Sequence, residues 1–249
     1  GPVERGTYCD PPYVPWDIDL ERRGIADLFG KALLINDFVA QAYACLSPVA
    51  ASVRNILPGD SHTDAVIGVL GAGTALGKAI LVPQNEGRYR ALPSEGGHAY
   101  FPFRTPREFA FQEFYRRKSG EQHVTGNLVI SGIGLKYLHW FLSGEDLAPE
   151  AVTERLTPGS ETLAWASAFY GLVCRDFALE VLARGGLYIA GGVAARTPGL
   201  LTHDQFRRAF HDSPTMGRFL ATVPVFLLDN QDSGLWGAAF QGKQILQSK

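Results

Sequence analysis

The apolar runs "KALLI" and "LYIA" each lead through small or polar residues into a segment with helical spacing, and this pattern most constrains the fold. Continuous apolar runs of this length are typical of strands that are buried on both faces. Between them, "AVIGVL" and "KAILV" flank a glycine-rich turn and predict an antiparallel hairpin. Strands that alternate with helices in this way predict an α/β protein with some antiparallel pairing.

The remaining pattern predicts several further elements. Helices are expected over "DLERRGIADLFG", ending at Gly30, over "DFVAQAYACL" and over "FAFQEFYRRKSG". A long helix from "ETLAW" is expected to close at Gly185, and "NLVISGIGL" is expected to be a strand that runs into a helix. The segments "PVFLLDN" and "GLWGAAFQGKQILQ" predict a buried strand and a final helix.

Charge and cysteine content exclude several classes of protein. The 23 basic and 25 acidic residues give a net charge of −2 without a long block of one sign, so we expect neither a nucleic-acid nor a membrane partner. Three distant cysteines, Cys9, Cys45 and Cys174, form no CxxC pair, which favours a reducing compartment over disulfides or a metal site. We therefore expect a cytoplasmic protein with a small-molecule partner and no protein-held metal.

Asn36 and Asp37 directly follow the run "KALLI" and precede a helical segment. The exit of a strand into a helix is where open α/β sheets bind ligands. Because an unpaired buried carboxylate is costly, Asp37 is expected to be exposed, paired, capping the next helix or placed in a cleft.

The segment "GAGTALG", Gly71 to Gly77, resembles a dinucleotide fingerprint only superficially. That fingerprint requires a helix directly after the glycines, whereas "KAILV" predicts a strand. A glycine-rich turn can still hold a phosphate with its backbone N–H groups and the Thr74 hydroxyl. A tight turn without a ligand remains the alternative.

Two further glycine pairs are candidates for binding. In "SEGGH", Glu95 and His98 could bind a polyol, a metal or each other, or could lie on a surface loop. A metal site would need more ligands than this segment offers. In "IAGGVA", Gly191 and Gly192 permit flat packing against a ring or a ribose.

Taken in order, "LLINDFVAQAYA", "GAGTALG", "LPSEGGHAYF", "VISGIGL", "YIAGGVAAR" and "SGLWGAA" resemble the bacterial ATP-dependent glucokinase family of the actin-like sugar-kinase superfamily. The resemblance implies an actin-like, ribonuclease H-like α/β fold with two domains around a cleft. In this chain, residues 1–40 would belong to the small domain, 41–229 to the large domain, and 230–249 to a helix that returns to the small domain. It further implies phosphorylation of D-glucose in the first step of glycolysis, ATP and Mg2+ as cofactors, and a homodimer.

The resemblance also implies roles for individual residues. Asp37 matches the catalytic base, which orients the C6 hydroxyl and accepts its proton. The sugar ligands would be Asn36, Asp37, Glu95, His98 and, at a position where the family commonly has Glu, Asn127. The nucleotide ligands would be Gly71, Gly73, Thr74 and Gly77 for phosphate and Gly191 and Gly192 for adenosine.

The chain departs from the family pattern in three ways. The first phosphate loop, Asp-x-Gly-Gly-Thr, is not found, so we expect a truncated chain that begins after this loop, lacks the first strands of the small domain and is weakly active or inactive alone. Asn127 cannot make the charge-assisted hydrogen bond of a carboxylate, which leaves the preferred hexose open. Ala75 and Ile133 replace the more usual glycine and proline.

Two alternatives to a glucokinase follow from the same departures. One is a non-catalytic sugar-binding or regulatory protein that is derived from a kinase. The other is a kinase for another hexose.

Overall fold

The computed structural model describes residues 2–11, 15–22, 25–28 and 32–247. The strands in these ranges are β1 Tyr8–Cys9, β2 Ile18–Asp19, β3 Arg54–Leu57, β4 Ile67–Ala72, β5 Leu76–Pro83, β6 Tyr89–Ser94, β7 Leu187–Ala190 and β8 Val225–Leu227. β1 and β2 pair with each other, and the other strands form one sheet in the order β3-β8-β7-β4-β5-β6. The pairs β4–β7 and β7–β8 are parallel and the remaining pairs are antiparallel, so the sheet is mixed.

Helices cover both faces of this sheet. They are α1 Asp37–Ala44, α2 Pro106–Ser119, α3 Gly126–Val129, α4 Gly132–Ser143, α5 Pro149–Arg155, α6 Glu161–Val181, α7 Gly192–Arg196, α8 Gly199–Thr202, α9 Asp204–His211, α10 Gly217–Leu220 and α11 Ser233–Gln247. α1 packs against α11 on one face, and α6 packs against α9 on the other. No helix within the described ranges is both long and apolar enough to cross a membrane.

β4 is buried along its whole length because both of its faces are covered. Side chains of successive strand residues point to opposite faces. Val69 accordingly joins the core that contains Tyr43 of α1, whereas Leu70 joins the core that contains Phe177 of α6. This two-sided burial explains why the strand reads as a continuous apolar run.

Most of the predicted elements are confirmed. The hairpin is β4–β5, and the pattern of strand, glycine pair and helix at 187–196 is β7 followed by α7. The helix from Asp37, the helix that Gly120 closes in the left-handed conformation, the buried strand at 225–227 and the final helix are also present.

Two predictions near the N-terminus are wrong within the described residues. The run "KALLI" is not a strand: residues 32–35 have no regular structure, and their backbone bond is from Leu34 N–H to the Gly6 carbonyl. A strand needs a hydrogen-bonded partner strand along its length, whereas this segment donates one backbone hydrogen bond to a described neighbour. The predicted helix over 19–30 is reduced to a 3₁₀ turn at Ala26–Leu28. Lys31 and the predicted end at Gly30 lie outside the described residues.

One further predicted strand is wrong, and one helix ends earlier than predicted. The run "NLVI" is helical, because Val129 and Ile130 donate to the carbonyls four residues earlier; short apolar runs do not distinguish a strand from a buried helix. The long helix ends at Val181 and is capped by Leu182, which adopts φ 48°, and it does not extend to Gly185. Gly185 instead donates to the Val66 carbonyl and leads the chain into β7.

The contact between α1 and α11 is unusually close at Gly237. A Cβ at this position would lie 1.7 Å from the Ala40 carbonyl oxygen, so only a glycine fits. One turn earlier, the Ser233 hydroxyl donates to Gln41 Oε1 at 2.7 Å. The C-terminal helix therefore holds the helix that carries Asp37.

Gly237→Ala is expected to destabilise the protein by roughly 1–3 kcal/mol, because the new methyl group meets backbone atoms that cannot move aside without shifting a helix. The free energy of unfolding is measured by urea titration. Gly242→Ala in the same helix is the matched control, since a Cβ there meets no atom within 4 Å. It should be neutral or stabilising by about 0.5–1 kcal/mol. Equal effects of the two substitutions would contradict the proposed packing constraint.

Candidate active site

A cavity of about 580 Å³ lies where β4 and β7 end. Its walls come from the start of α1, the turn between β4 and β5, and the segment that follows β6. Parallel strands bring their carboxyl ends to the same edge of a sheet, and this edge is where α/β proteins bind ligands. Of the residues that the sequence singles out, the cavity is lined by Asn36, Asp37, Gly73, Thr74, Gly77, Glu95, His98, Asn127 and Gly191.

The start of α1 separates the roles of Asn36 and Asp37. Asn36 is the N-cap: its Oδ1 accepts hydrogen bonds from the N–H groups of Phe38 at 2.8 Å and Val39 at 3.2 Å. Asp37 is the first helical residue and is exposed, and its Oδ1 accepts from the Phe38 N–H at 3.0 Å. Capping therefore accounts for Asn36, and the Asp37 carboxylate faces the cavity at a helix terminus that favours negative charge.

Glu95 and His98 lie on a tight turn directly after β6. His98 Nε2 is 3.7 Å from Glu95 Oε2, and both side chains are about half exposed. The turn fits closely on the hairpin, since a Cβ on Gly97 would lie 2.0 Å from the Leu76 carbonyl oxygen. Gly97 thus lets the turn pack against the sheet, and Glu95 and His98 line the cavity.

Asn127 connects α3 to the hairpin. Its Oδ1 accepts a hydrogen bond from the Leu76 N–H at 2.8 Å, and the residue is only 7% exposed. It also lines the cavity, as Glu95 does. The residue is therefore a structural contact and a cavity residue at once.

The glycines of the hairpin serve different purposes. A Cβ on Gly73 would meet no atom within 4 Å, so the backbone there is open to the cavity, next to Thr74. A Cβ on Gly77 would lie 1.9 Å from the Phe38 ring, and one on Gly71 would lie 1.9 Å from the Ala190 carbonyl oxygen. Gly71 lies outside the cavity lining, so packing against β7 explains it without a ligand.

The two glycines after β7, Gly191 and Gly192, also differ in whether they line the cavity. Gly191 has φ +90°, and a Cβ on it would lie 2.6 Å from the Ala72 carbonyl oxygen, so this turn needs glycine to reach β4. Gly191 lines the cavity, whereas Gly192 begins α7 outside it. The binding roles expected for Gly71 and Gly192 stay predictions.

Lys78 lines the cavity but was not singled out by the sequence analysis. It is 6% exposed, its Nζ is 3.8 Å from Glu180 Oε2, and it lies 4.9 Å from the centre of the Phe177 ring. Burial raises the pKa of the nearby Cys174 thiol well above its usual value, and the Lys78 charge offsets part of this rise. A lysine inside an otherwise apolar strand was the available signal, because a buried cation needs compensating partners.

The described residues contain no group of three or more His, Cys, Asp or Glu side chains that could hold a metal ion. The acidic groups in the lining of the cavity are Asp37 and Glu95. Chemically, the cavity combines exposed carboxylates, amides and an imidazole, which suit hydroxyl groups, with an open glycine turn, which suits an anion.

Comparison with known proteins identifies the family. The family model Glucokinase matches residues 1–245. The glucokinase of Chromobacterium violaceum is 34% identical over 250 residues, which cover 96% of this chain and 70% of that protein. Among solved structures, the glucokinase from an Antarctic psychrotroph has a TM-score of 0.82 at 27% identity and covers 98% of this chain and 78% of that chain.

A more distant structure has the same fold. The ROK family glucokinase from Streptomyces griseus, solved in complex with glucose and AMPPNP, has a TM-score of 0.57 at 17% identity and covers 88% of this chain and 71% of that chain. The expected actin-like sugar-kinase fold is thereby confirmed. Together with the match of the family model over nearly the whole sequence, these findings show that the chain belongs to the glucokinase family.

Proposed function

We propose that the protein transfers the γ-phosphoryl group of ATP to the primary hydroxyl of D-glucose and forms glucose 6-phosphate. One observation carries this proposal: an exposed carboxylate, Asp37, shares a single cavity with the polar pair Glu95 and His98 and with the open turn at Gly73 and Thr74. A sugar and a phosphate donor would thus have separate groups to bind in the cavity that also contains this carboxylate.

Asp37 is assigned the role of catalytic base. Phosphoryl transfer depends on positioning and charge stabilisation, so the carboxylate would hydrogen-bond to the C6 hydroxyl, orient it toward the γ-phosphorus and accept its proton as the new O–P bond forms. ADP leaves as the old bond breaks. Asp37 Oδ2 accepts no hydrogen bond from a described residue, which leaves this oxygen available for the hydroxyl.

The sugar would be held by Asn36, Glu95, His98 and Asn127. Several donors and acceptors that read adjacent hydroxyls provide specificity, because an analogue that lacks one hydroxyl leaves a polar group of the site unpaired. The imidazole and carboxylate of the Glu95–His98 pair are close enough to act on neighbouring positions of one ring.

The nucleotide phosphates would lie on the turn at Gly73 and Thr74, with Gly191 beside them. The Streptomyces griseus protein holds glucose and AMPPNP together, which supports ATP as the donor. Mg2+ is compatible with this site although no cluster of metal-binding side chains is found among the described residues, because Mg2+ keeps several waters and binds largely through nucleotide phosphates. When bound, it neutralises charge on the transferring phosphate.

A homodimer is proposed as well, in line with the family resemblance. Leu235, Trp236 and Leu246 expose large apolar surfaces on α11, which supports a protein contact along this helix.

Asp37→Asn is expected to lower kcat roughly 10²- to 10⁴-fold, because the amide cannot accept the proton of the attacking hydroxyl. The affinity for glucose should change only a few-fold, since an amide still forms hydrogen bonds. Turnover is measured by coupled detection of glucose 6-phosphate at micromolar enzyme, so that slow turnover is detected. Glucose binding is measured by calorimetry.

Asp204→Asn is the matched control for this substitution. Asp204 also occupies the first position of a helix, is exposed and pairs with Arg207 at 3.2 Å, but it lies outside the cavity. It should leave kcat unchanged. An Asp37→Asn enzyme that kept more than a tenth of the wild-type kcat would contradict the assigned role.

Gly73→Ala is expected to weaken nucleotide binding roughly tenfold or more while glucose binding and stability persist, because its methyl group would occupy space intended for phosphate. Gly77→Ala is the contrasting variant: its Cβ collides with Phe38, so we expect lower stability and weaker binding of both ligands. Calorimetry with glucose and with a non-hydrolysable ATP analogue separates the two patterns. Unchanged nucleotide affinity in Gly73→Ala would count against a phosphate site on this turn.

A further inference from the structure

The side-chain amide of Asn127 has only one orientation that satisfies its surroundings. Leu76 N–H is a donor, and it points at the amide oxygen of Asn127 at 2.8 Å. Rotating the amide by half a turn would place its NH₂ group against this N–H, donor facing donor, with a buried backbone group left unpaired. Because Leu76 belongs to the rigid hairpin, the backbone itself fixes the amide.

The same oxygen is held from a second side. A Cβ on Gly97 would lie 2.4 Å from Asn127 Oδ1, so the turn that carries Glu95 and His98 packs directly on this atom. Asn127 is 7% exposed, which leaves the side chain little freedom. Its oxygen is therefore committed to the protein.

The amide nitrogen is in the opposite situation. Asn127 Nδ2 donates no hydrogen bond to any described residue, and it is not one of the described polar atoms that are sealed inside the protein without a partner. The cavity that Asn127 lines is the space to which this nitrogen is open. Asn127 thus presents N–H donors, and no acceptor, to whatever occupies the cavity.

We propose that Asn127 is a specificity-determining residue that reads one substituent of the hexose strictly as a hydrogen-bond acceptor. The proposal rests on the function proposed above and defines its substrate class. A hydroxyl satisfies Asn127 because its oxygen accepts, and a fluorine or a carbonyl oxygen would also fit. A substituent that only donates, such as an ammonium group, or that is absent would leave the amide unpaired.

Asp37 and Glu95 require a hydrogen-bond donor on the sugar, because ionised carboxylates only accept hydrogen bonds. The hydroxyls that face them must donate. The cavity therefore contains contacts of opposite polarity, and the contact with Asn127, unlike the contacts with these two carboxylates, tolerates a substituent without a proton.

Asn127→Asp tests this polarity with almost no change in shape. One carboxylate oxygen still accepts the hydrogen bond from the Leu76 N–H. The other replaces the NH₂ group, so the group that faces the cavity changes from a donor to an acceptor. Affinities are measured by calorimetry for glucose and for its deoxy and deoxyfluoro analogues at C1, C2, C3 and C4. Fluorine accepts a hydrogen bond weakly and never donates one, so each fluoro and deoxy pair isolates the acceptor role at one carbon.

In the wild type, one ring position should favour the fluoro over the deoxy sugar by roughly 2- to 10-fold, as expected for one hydrogen bond. In Asn127→Asp, the order at that same position should reverse, because a carboxylate repels fluorine. Asn55→Asp is the matched control: it adds the same charge at an exposed position of β3, outside the cavity, and should leave every ratio unchanged.

The outcomes separate this inference from the proposed function. Glucose binding with no position that favours fluorine in the wild type, or with an order that Asn127→Asp leaves unchanged, overturns the inference and leaves the glucokinase function standing. No binding of glucose by the wild type overturns both. If Asn127→Asp does not fold, as judged by its urea transition, the wild-type ratios alone decide.

Discussion

The close backbone contact between β4 and β7 at their carboxyl ends underlies the rest of the site. Because Gly71 has no side chain, the Ala190 carbonyl can approach β4 closely. After β7 the chain turns at Gly191, which has a positive φ and lies so close to the Ala72 carbonyl that no side chain fits. This contact brings the ends of two parallel strands to one point, and the hairpin turn and the start of α1 then enclose the cavity. Without glycine at these two positions, the strands would separate and the cavity walls with them.

Asp37 can remain exposed because the preceding residue, Asn36, caps the helix. Asn36 satisfies the N–H groups at the start of α1, so the carboxylate is not needed as the cap. α1 is held in turn by α11, through the contact at Gly237 and the hydrogen bond from Ser233 to Gln41. The C-terminal helix therefore helps to set the position of Asp37, for which the catalytic role is proposed.

The donor and acceptor groups of the cavity are arranged by the protein scaffold and not by the sugar. Leu76 commits the oxygen of Asn127, the turn at Gly97 closes on the same atom, and Lys78 lies buried beside them with Glu180 as its nearest carboxylate. An amide at position 127 is thus more than a weaker version of a carboxylate. In the proposed site, it would reverse the direction of one hydrogen bond, because the Leu76 N–H already occupies its oxygen.

The sequence by itself determined the α/β class, the hairpin, the strand and helix around Gly191, and the residues Asn36, Asp37, Thr74, Glu95 and His98 as candidates, because each depends on local pattern or on motif order. It did not determine that "KALLI" lacks a strand partner among the described residues or that "NLVI" is helical, since short apolar runs are compatible with several structures. Only the tertiary structure decided that Gly71 serves packing, that Lys78 belongs to the cavity wall and that the Asn127 oxygen is bound to the Leu76 N–H. These properties arise from contacts between segments that are distant in the chain, such as Leu76 with Asn127 and Gly71 with Ala190, and no local pattern carries that information.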